Sequence, residues 1–99
     1  VKELFERFIA DYSEPRNKPS TVGAARGYGK LYVVPHLGQT KVADVTRSDI
    51  SGLMKKMSKF PTNANRVLSA VRKMFNMAEV WGMRPDGSNP YRHVSKFPE

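Results

Sequence analysis

The strongest structural pattern in this 99-residue chain is a long amphipathic stretch, PTNANRVLSAVRKMFNMAEVWG, at residues 61–82. Its apolar side chains recur every three or four residues, which is typical of an α-helix with one buried face. They are Ala64, Val67, Leu68, Val71, Phe75, Ala78 and Trp81. Pro61 at the start and Gly82 at the end are typical helix boundaries. Because such a helix needs partners to cover its apolar face, the pattern predicts a helical bundle.

Three earlier segments, residues 2–13, 21–34 and 47–58, carry apolar side chains at the same spacing. The predicted core residues are Leu4, Phe5, Phe8, Ile9 and Tyr12 in the first, Val22, Ala25, Tyr28, Tyr32 and Val33 in the second, and Ile50, Leu53, Met54 and Met57 in the third. Glycines in the second segment disfavour a helix interior, so its pattern is the weakest. The predicted fold class is all-α, a compact bundle of four short amphipathic helices.

Turn and capping residues separate the predicted helices. Residues 13–20, SEPRNKPS, contain two prolines and predict a loop, with Ser20 or Thr21 capping the second helix. Pro35 and Gly38 are expected to end that helix.

The third helix and the C-terminal residues carry further local signals. Thr46 and Asp49 have the spacing of a capping box at the start of the third helix. Residues 84–99 contain three prolines and no sustained period, so a turn followed by a trailing linker is predicted. The predicted domain spans residues 1–96, and residues 97–99 are expected to begin a linker.

The amount and distribution of positive charge indicate which class of partner the chain binds. The chain has 17 Lys and Arg against 9 Asp and Glu, for a net charge of +8. No acid lies between Glu14 and Asp44 or between Asp49 and Glu79, where five and six bases occur. Segregated positive charge is typical of proteins that bind polyphosphates. Cysteine is absent and no apolar run approaches the ~20 residues that span a bilayer, so a cytoplasmic protein without membrane contact is expected.

The sequence contains no convincing catalytic or metal-binding motif. His36 and His93 are far apart and lack acids at ligand spacing, so no metal or other cofactor is expected. Asp44 and Asp49 are better explained as a turn residue and a cap than as a general acid and base. No small-molecule ligand is expected either.

The polar side of the fourth predicted helix is cationic and lacks acids. It carries Thr62, Asn65, Arg66, Ser69, Lys73 and Asn76. A merely solvated helix surface normally includes Glu to pair with its Lys and Arg. Arg and Lys neutralise phosphates, and Asn and Arg contact purine edges, so this face predicts DNA binding.

The second predicted helix has a strip of small residues that is flanked by bases. Ser20, Gly23, Ala24 and Gly27 form the strip, and the bases are Lys18, Arg26 and Lys30. Such a strip lets a phosphate backbone approach the main chain. The alternative, equally open at this point, is that the glycines simply reflect a weak helix.

Taken in order, these motifs resemble the core-binding, SAM-like N-terminal domain of phage-type integrases, the tyrosine recombinases. The resemblance lies in STVGAARGYGKLYVVPHLG, KVADVTRSDISGLMKKM, TNANRVLSAVRKMFNMAEVWG and the Asn89-Pro90 pair, and covers about residues 2 to 96. The chain departs from the usual pattern at Ala25, where a larger aromatic is common, and in its glycines.

The resemblance implies a four-helix domain that forms half of a clamp around duplex DNA at a recombination core site, the other half being a separate catalytic domain. It also implies contact with other integrase protomers assembled on the DNA. The implied DNA-binding residues are Lys18, Ser20, Thr21, Ala24, Thr62, Asn63, Asn65, Arg66, Ser69 and Lys73, to which the flanking Arg26 and Lys30 are added. The family's catalytic tyrosine and its assisting Arg, Lys and His residues belong to a separate domain. This fragment is therefore expected to bind DNA without catalysing cleavage.

Two other functions remain open from the sequence. One is a helical protein-interaction domain with an acidic partner. The other is a stand-alone helix-turn-helix regulator, although SKFPT at residues 58–62 lacks the tight glycine-containing turn of that motif.

Overall fold

The computed structural model describes residues 1–98, which form four helices and no strand. Helix α1 runs continuously through Lys2–Arg7, Phe8–Ser13 and Glu14–Arg16, and α2 through Pro19–Tyr28, Gly29–Val33 and Val34–Leu37. A 3-10 turn, Val42–Asp44, precedes α3, Arg47–Lys56, and α4 is Pro61–Val80. The predicted all-α fold class is confirmed.

The core is built from the predicted apolar stripes. Its buried members include Leu4, Phe5, Phe8 and Ile9 of α1, Val22 and Val33 of α2, Ile50, Leu53, Met54 and Met57 at α3, and Ala64, Val67, Leu68, Val71, Phe75 and Ala78 of α4. The predicted core residues Tyr12, Ala25, Tyr28, Tyr32 and Trp81 are only partly buried and pack at its edge. Helix α4 lies centrally, since it contacts α1, α2 and α3.

Helices α1 and α2 both pass through a proline, which the sequence analysis expected to lie in a loop or at a helix end. In each case a π-helical turn, Phe8–Ser13 or Gly29–Val33, ends two residues before the proline. The backbone N–H of Glu14 donates to the carbonyl of Ile9, and that of Val34 to the carbonyl of Gly29. A proline ring in an α-helix clashes with the carbonyl four residues earlier, and a wider turn relieves that clash. Both helices therefore extend further than predicted.

The start of α2 also differs from the prediction. Lys18 is the N-cap in extended conformation, and Pro19 occupies the first helical turn. Ser20 and Thr21, predicted as candidate caps, lie inside the helix instead. Proline is favoured there because its missing N–H would have no helical acceptor anyway.

The predicted signals around α3 and α4 are confirmed. The backbone N–H of Asp49 donates to Thr46 Oγ1 at 3.2 Å, and the N–H of Thr46 donates to Asp49 Oδ2 at 2.8 Å. These two bonds form the predicted capping box. Helix α4 ends where Gly82 adopts a positive φ of 72° and Met83 N–H donates to the carbonyl of Ala78, the bond of a Schellman motif.

Replacing Thr46 by alanine is expected to destabilise the domain by about 1 kcal/mol, because an N-cap hydroxyl that satisfies a first-turn N–H contributes about that much. Thermal unfolding followed by circular dichroism measures the loss. Ser48→Ala is the matched control, since Ser48 is exposed within α3. Equal stability of Thr46→Ala and the control would contradict the role of the capping box.

The residues after α4 fold back onto the helices rather than trailing away as predicted. Arg84 donates to the carbonyls of Val42 and Val45 at 2.7 and 2.9 Å, and to that of Ser88 at 2.8 Å. Burial lowers the pKa of Arg84, and the charge of Glu79 opposes that shift. The side chains of Tyr91, Val94 and Phe97 pack against the core. Of the predicted linker, residues 97 and 98 are described, and Glu99 lies outside the described residues.

Three residues of α4, Arg72, Asn76 and Glu79, hold this C-terminal segment. Glu79 accepts hydrogen bonds from the backbone N–H groups of Gly87 and Asn89, at 2.8 and 2.9 Å. The buried side chain of Asn89 donates to the carbonyl of Arg72 and to Asn76 Oδ1. The Asn89-Pro90 pair of the sequence motif therefore anchors the segment to α4.

Candidate nucleic-acid interface

A groove lies between the N-terminal part of α2 and the polar face of α4. We call it the α2–α4 groove. Its lining consists of Phe8, Ser13, Asn17, Ser20, Thr21, Ala24, Ala25, Tyr28, Thr62, Asn65, Arg66, Ser69, Ala70, Lys73 and Lys96. The apolar stripe of α4 packs into the core, so the opposite, polar face is turned toward this groove.

Among residues 1–98, the side chains that line the groove include cations and no acid. Arg66, Lys73 and Lys96 line it, and no Asp or Glu is among the lining residues. Lys73 is exposed and forms no ion pair within residues 1–98. Arg66 reaches across from α4, where its Nη1 donates to the hydroxyl of Tyr28 on α2 at 3.5 Å. The resulting surface attracts anions.

Two helix N-termini add to this positive field. Ser20 and Thr21 belong to the first turn of α2, and Thr62 to the first turn of α4. Neither helix has a side-chain cap or an acid in its first turn. An uncapped N-terminus presents backbone N–H groups and the positive end of the helix dipole, which favour phosphate oxygens. Helix α3 differs, because its N-terminus carries Asp49.

Most of the predicted DNA-binding residues come together in this groove. They are Ser20, Thr21, Ala24, Thr62, Asn65, Arg66, Ser69 and Lys73. Lys18 caps α2 at the end nearest the groove without lining it, and Asn63 is half-buried outside the lining. The five members from α4 are Thr62, Asn65, Arg66, Ser69 and Lys73. Their helical spacing in the sequence predicted that they share one face.

Arg26 and Lys30 lie elsewhere. They line a second groove, between α1 and α2, that also contains Glu6 and Glu14. Arg26 forms an ion pair with Glu14. The sequence placed both bases beside the small-residue strip of α2, whereas the helix turns them toward the acidic side of α1. Their contact with DNA stays a prediction, from a surface separate from the α2–α4 groove.

Two asparagines on the polar face of α4 bind the C-terminal segment. The buried side chain of Asn65 donates through Nδ2 to the carbonyl of Phe97 at 2.8 Å and accepts from the Phe97 N–H at 2.7 Å. Asn76 accepts from Asn89, as described above. Both carboxamides were expected to face DNA, and the structure gives them partners within the chain.

Sequence reasoning missed Lys96, because it interpreted the C-terminal residues as a linker. A signal was present in the apolar residues Tyr91, Val94 and Phe97, which recur every three residues. All three pack against the core, and Lys96 is thereby held beside α4. Tyr28 and Asn17 also line the groove, although Tyr28 was predicted as a core residue from its spacing and Asn17 as part of a loop.

Residues 1–98 contain neither a metal-binding cluster nor a membrane-spanning helix. No three His, Asp or Glu side chains in that range lie close enough together to hold a metal ion. None of its helices combines the length and apolar character that a membrane span requires.

Comparison with known families supports the resemblance seen in the sequence. The family model described as the phage integrase central domain matches residues 1–94. Searches of curated proteins and of solved structures found no match. The matched region covers all four helices and the turn that Arg84 and Asn89 hold in place. The chain therefore belongs to the phage integrase central domain family.

Proposed function

We propose that this domain binds duplex DNA through the α2–α4 groove, as the core-binding half of a clamp in a site-specific tyrosine recombinase. The observation that carries the proposal is the positive charge of the groove, where three cations meet two helix N-termini without an acid in their first turns, and where the lining residues within 1–98 include no Asp or Glu. Phosphate oxygens satisfy both the cations and the helix N–H groups. Family membership supports the same partner.

Phosphate contacts are expected to dominate over base readout. The two carboxamides best suited to purine edges, those of Asn65 and Asn76, bind the C-terminal segment. Thr62, Ser69 and the N-terminal turn of α2 offer hydroxyl and N–H donors, which suit phosphate and sugar oxygens. Such contacts orient a protein on DNA but discriminate weakly between sequences.

The salt dependence of binding tests how many cations take part. Neutralising Z phosphates on B-DNA gives a slope of log K against log salt of about −0.9Z. If only the three groove cations contact phosphates, the slope is about −2.7. If Arg26 and Lys30 also contact phosphates, about five contacts form and the slope is about −4.5. Fluorescence anisotropy with a labelled duplex at several salt concentrations measures the slope.

A protein-interaction function would give a different result. An acidic partner protein, the alternative left open by the sequence, does not require duplex DNA, so the chain would show no saturable binding to duplexes of any sequence even at low salt. Affinity for an isolated domain is expected near the non-specific range, ~10⁻⁴ to 10⁻⁶ M. Absence of binding at millimolar duplex and low salt would overturn the proposed function.

A further inference from the structure

The last part of the C-terminal segment, residues 94–97, lies beside α4 at the edge of the α2–α4 groove. Lys96 is exposed and is the only member of this segment among the groove-lining residues. Val94 and Phe97 on either side of it pack against the core. Because apolar residues on both sides of Lys96 are anchored, its backbone is held at one place.

Asn65 fixes the main chain of this segment. Its carboxamide makes a reciprocal pair of hydrogen bonds with the N–H and carbonyl of one residue, Phe97. The two residues are 32 positions apart, and Asn65 is 4% exposed. A buried amide that satisfies both backbone groups of one residue restrains that residue in both position and orientation. The neighbouring Lys96 is restrained as a consequence.

From these contacts we infer that residues 94–97 form a third wall of the DNA-binding groove, in which Lys96 contacts a phosphate and Asn65 is a positioning residue that acts through Phe97. This inference rests on the proposed function. It changes the role of Asn65 from a base-reading residue, as the sequence analysis had it, to one that holds a cation in place.

The charge distribution supports the assignment. Lys96 joins Arg66 and Lys73 in a groove whose lining within residues 1–98 includes no acid, whereas Lys2 and Lys30 share their groove with Glu6 and Glu14. A cation that adds to an existing positive patch extends the track available to a phosphate backbone.

The test measures the affinity for a DNA duplex, and its salt dependence, for two single variants of the chain, Lys96→Gln and Lys59→Gln. Lys59 is exposed in the turn after α3 and does not line the groove, so both variants lose one charge. Lys96→Gln is expected to weaken binding about threefold to tenfold and to reduce the salt slope by about 0.9, while Lys59→Gln leaves the slope unchanged. Equal effects of the two variants would overturn the inference.

Asn65→Ala and the double variant Asn65→Ala with Lys96→Gln test the positioning role. If Asn65 acts through the segment, Asn65→Ala weakens binding about as much as Lys96→Gln, and the double variant is no weaker than either. The Phe97 amide resonance should also shift in Asn65→Ala. Additive losses would mean that Asn65 contacts DNA by itself, and would overturn the positioning role. If the unaltered chain binds no duplex, the proposed function fails, and the inference falls with it.

Discussion

Reversing the charge of Arg66 and Lys73 together is expected to reduce duplex affinity about 100-fold without unfolding the domain. Both side chains are exposed and line the α2–α4 groove. Each charge-assisted contact to a phosphate contributes roughly 1.5 kcal/mol, or about tenfold, and a carboxylate in its place adds repulsion. Anisotropy titration of Arg66→Glu/Lys73→Glu at fixed salt measures the loss, and circular dichroism verifies the fold.

A control with the same net charge separates the groove from the general positive field. Each reversal changes the charge by −2, so the double variant carries +8 − 4 = +4. Lys41→Glu/Lys59→Glu also carries +4, and both of its positions are exposed outside the helices and the groove. The control should lose only a few-fold in affinity. Equal losses in the two double variants would show that DNA responds to net charge and would contradict the groove assignment.

Gly29→Ala is expected to destabilise the domain strongly. A Cβ at Gly29 would overlap the Phe5 ring, where α1 and α2 come into contact. Phe5 is buried, so its ring cannot move away without disturbing the core. Overpacking of this kind costs about 3 kcal/mol, more than the ~1 kcal/mol that alanine gains over glycine in a helix. For a domain of this size, a fall in melting temperature of about 15 °C should follow.

Gly27→Ala is the matched control, since a Cβ at Gly27 meets no atom within 4 Å. Both residues lie in α2, so the same gain in helix propensity applies, and Gly27→Ala should be neutral or more stable. A second measurement uses Phe5→Leu in the Gly29→Ala background, where the smaller side chain should restore part of the stability. Similar melting temperatures for Gly27→Ala and Gly29→Ala would contradict the close contact.

The space around each glycine of α2 also shows which of them is required for packing. From the sequence, they were equally consistent with a strip that DNA approaches and with a weak helix. Gly29 is required for packing against Phe5, while Gly23 and Gly27 have open space around them. No glycine of α2 lines the α2–α4 groove. The small residues of α2 that do are Ser20, Ala24 and Ala25.

The strength of each apolar stripe determined what could be predicted from the sequence. The stripe of α4 is long and regular, so its buried side and therefore its polar side followed directly, and most of the groove residues on α4 were identified. Helix α2 has few buried residues over Pro19–Tyr28, Val22 alone. Without a strong stripe, the rotation of α2 about its own axis could not be predicted, so the sequence did not show that Arg26 and Lys30 line a different groove from Ser20 and Ala24.

Contacts between distant residues account for the remaining differences. The C-terminal segment is held by Asn65, Glu79 and Arg84, whose partners lie up to 42 positions away. An asparagine on a polar helix face has the same local pattern whether it binds a solvent molecule, a base or another part of the backbone. The packing of Tyr91, Val94 and Phe97 against the core brings the backbone to Asn65 and so determines which partner this asparagine binds. That packing forms only when the core has assembled.

The π-helical turns before Pro15 and Pro35 have a consequence for comparing this chain with relatives. Each hydrogen bond in such a turn spans five residues rather than four, so the turn contains one residue more than an α-helix needs. A relative without the proline can form a regular helix with one residue fewer and still present the same side chains to the core. Alignments that omit a single-residue gap within residues 8–13 or 29–33 would therefore match residues on different helix faces.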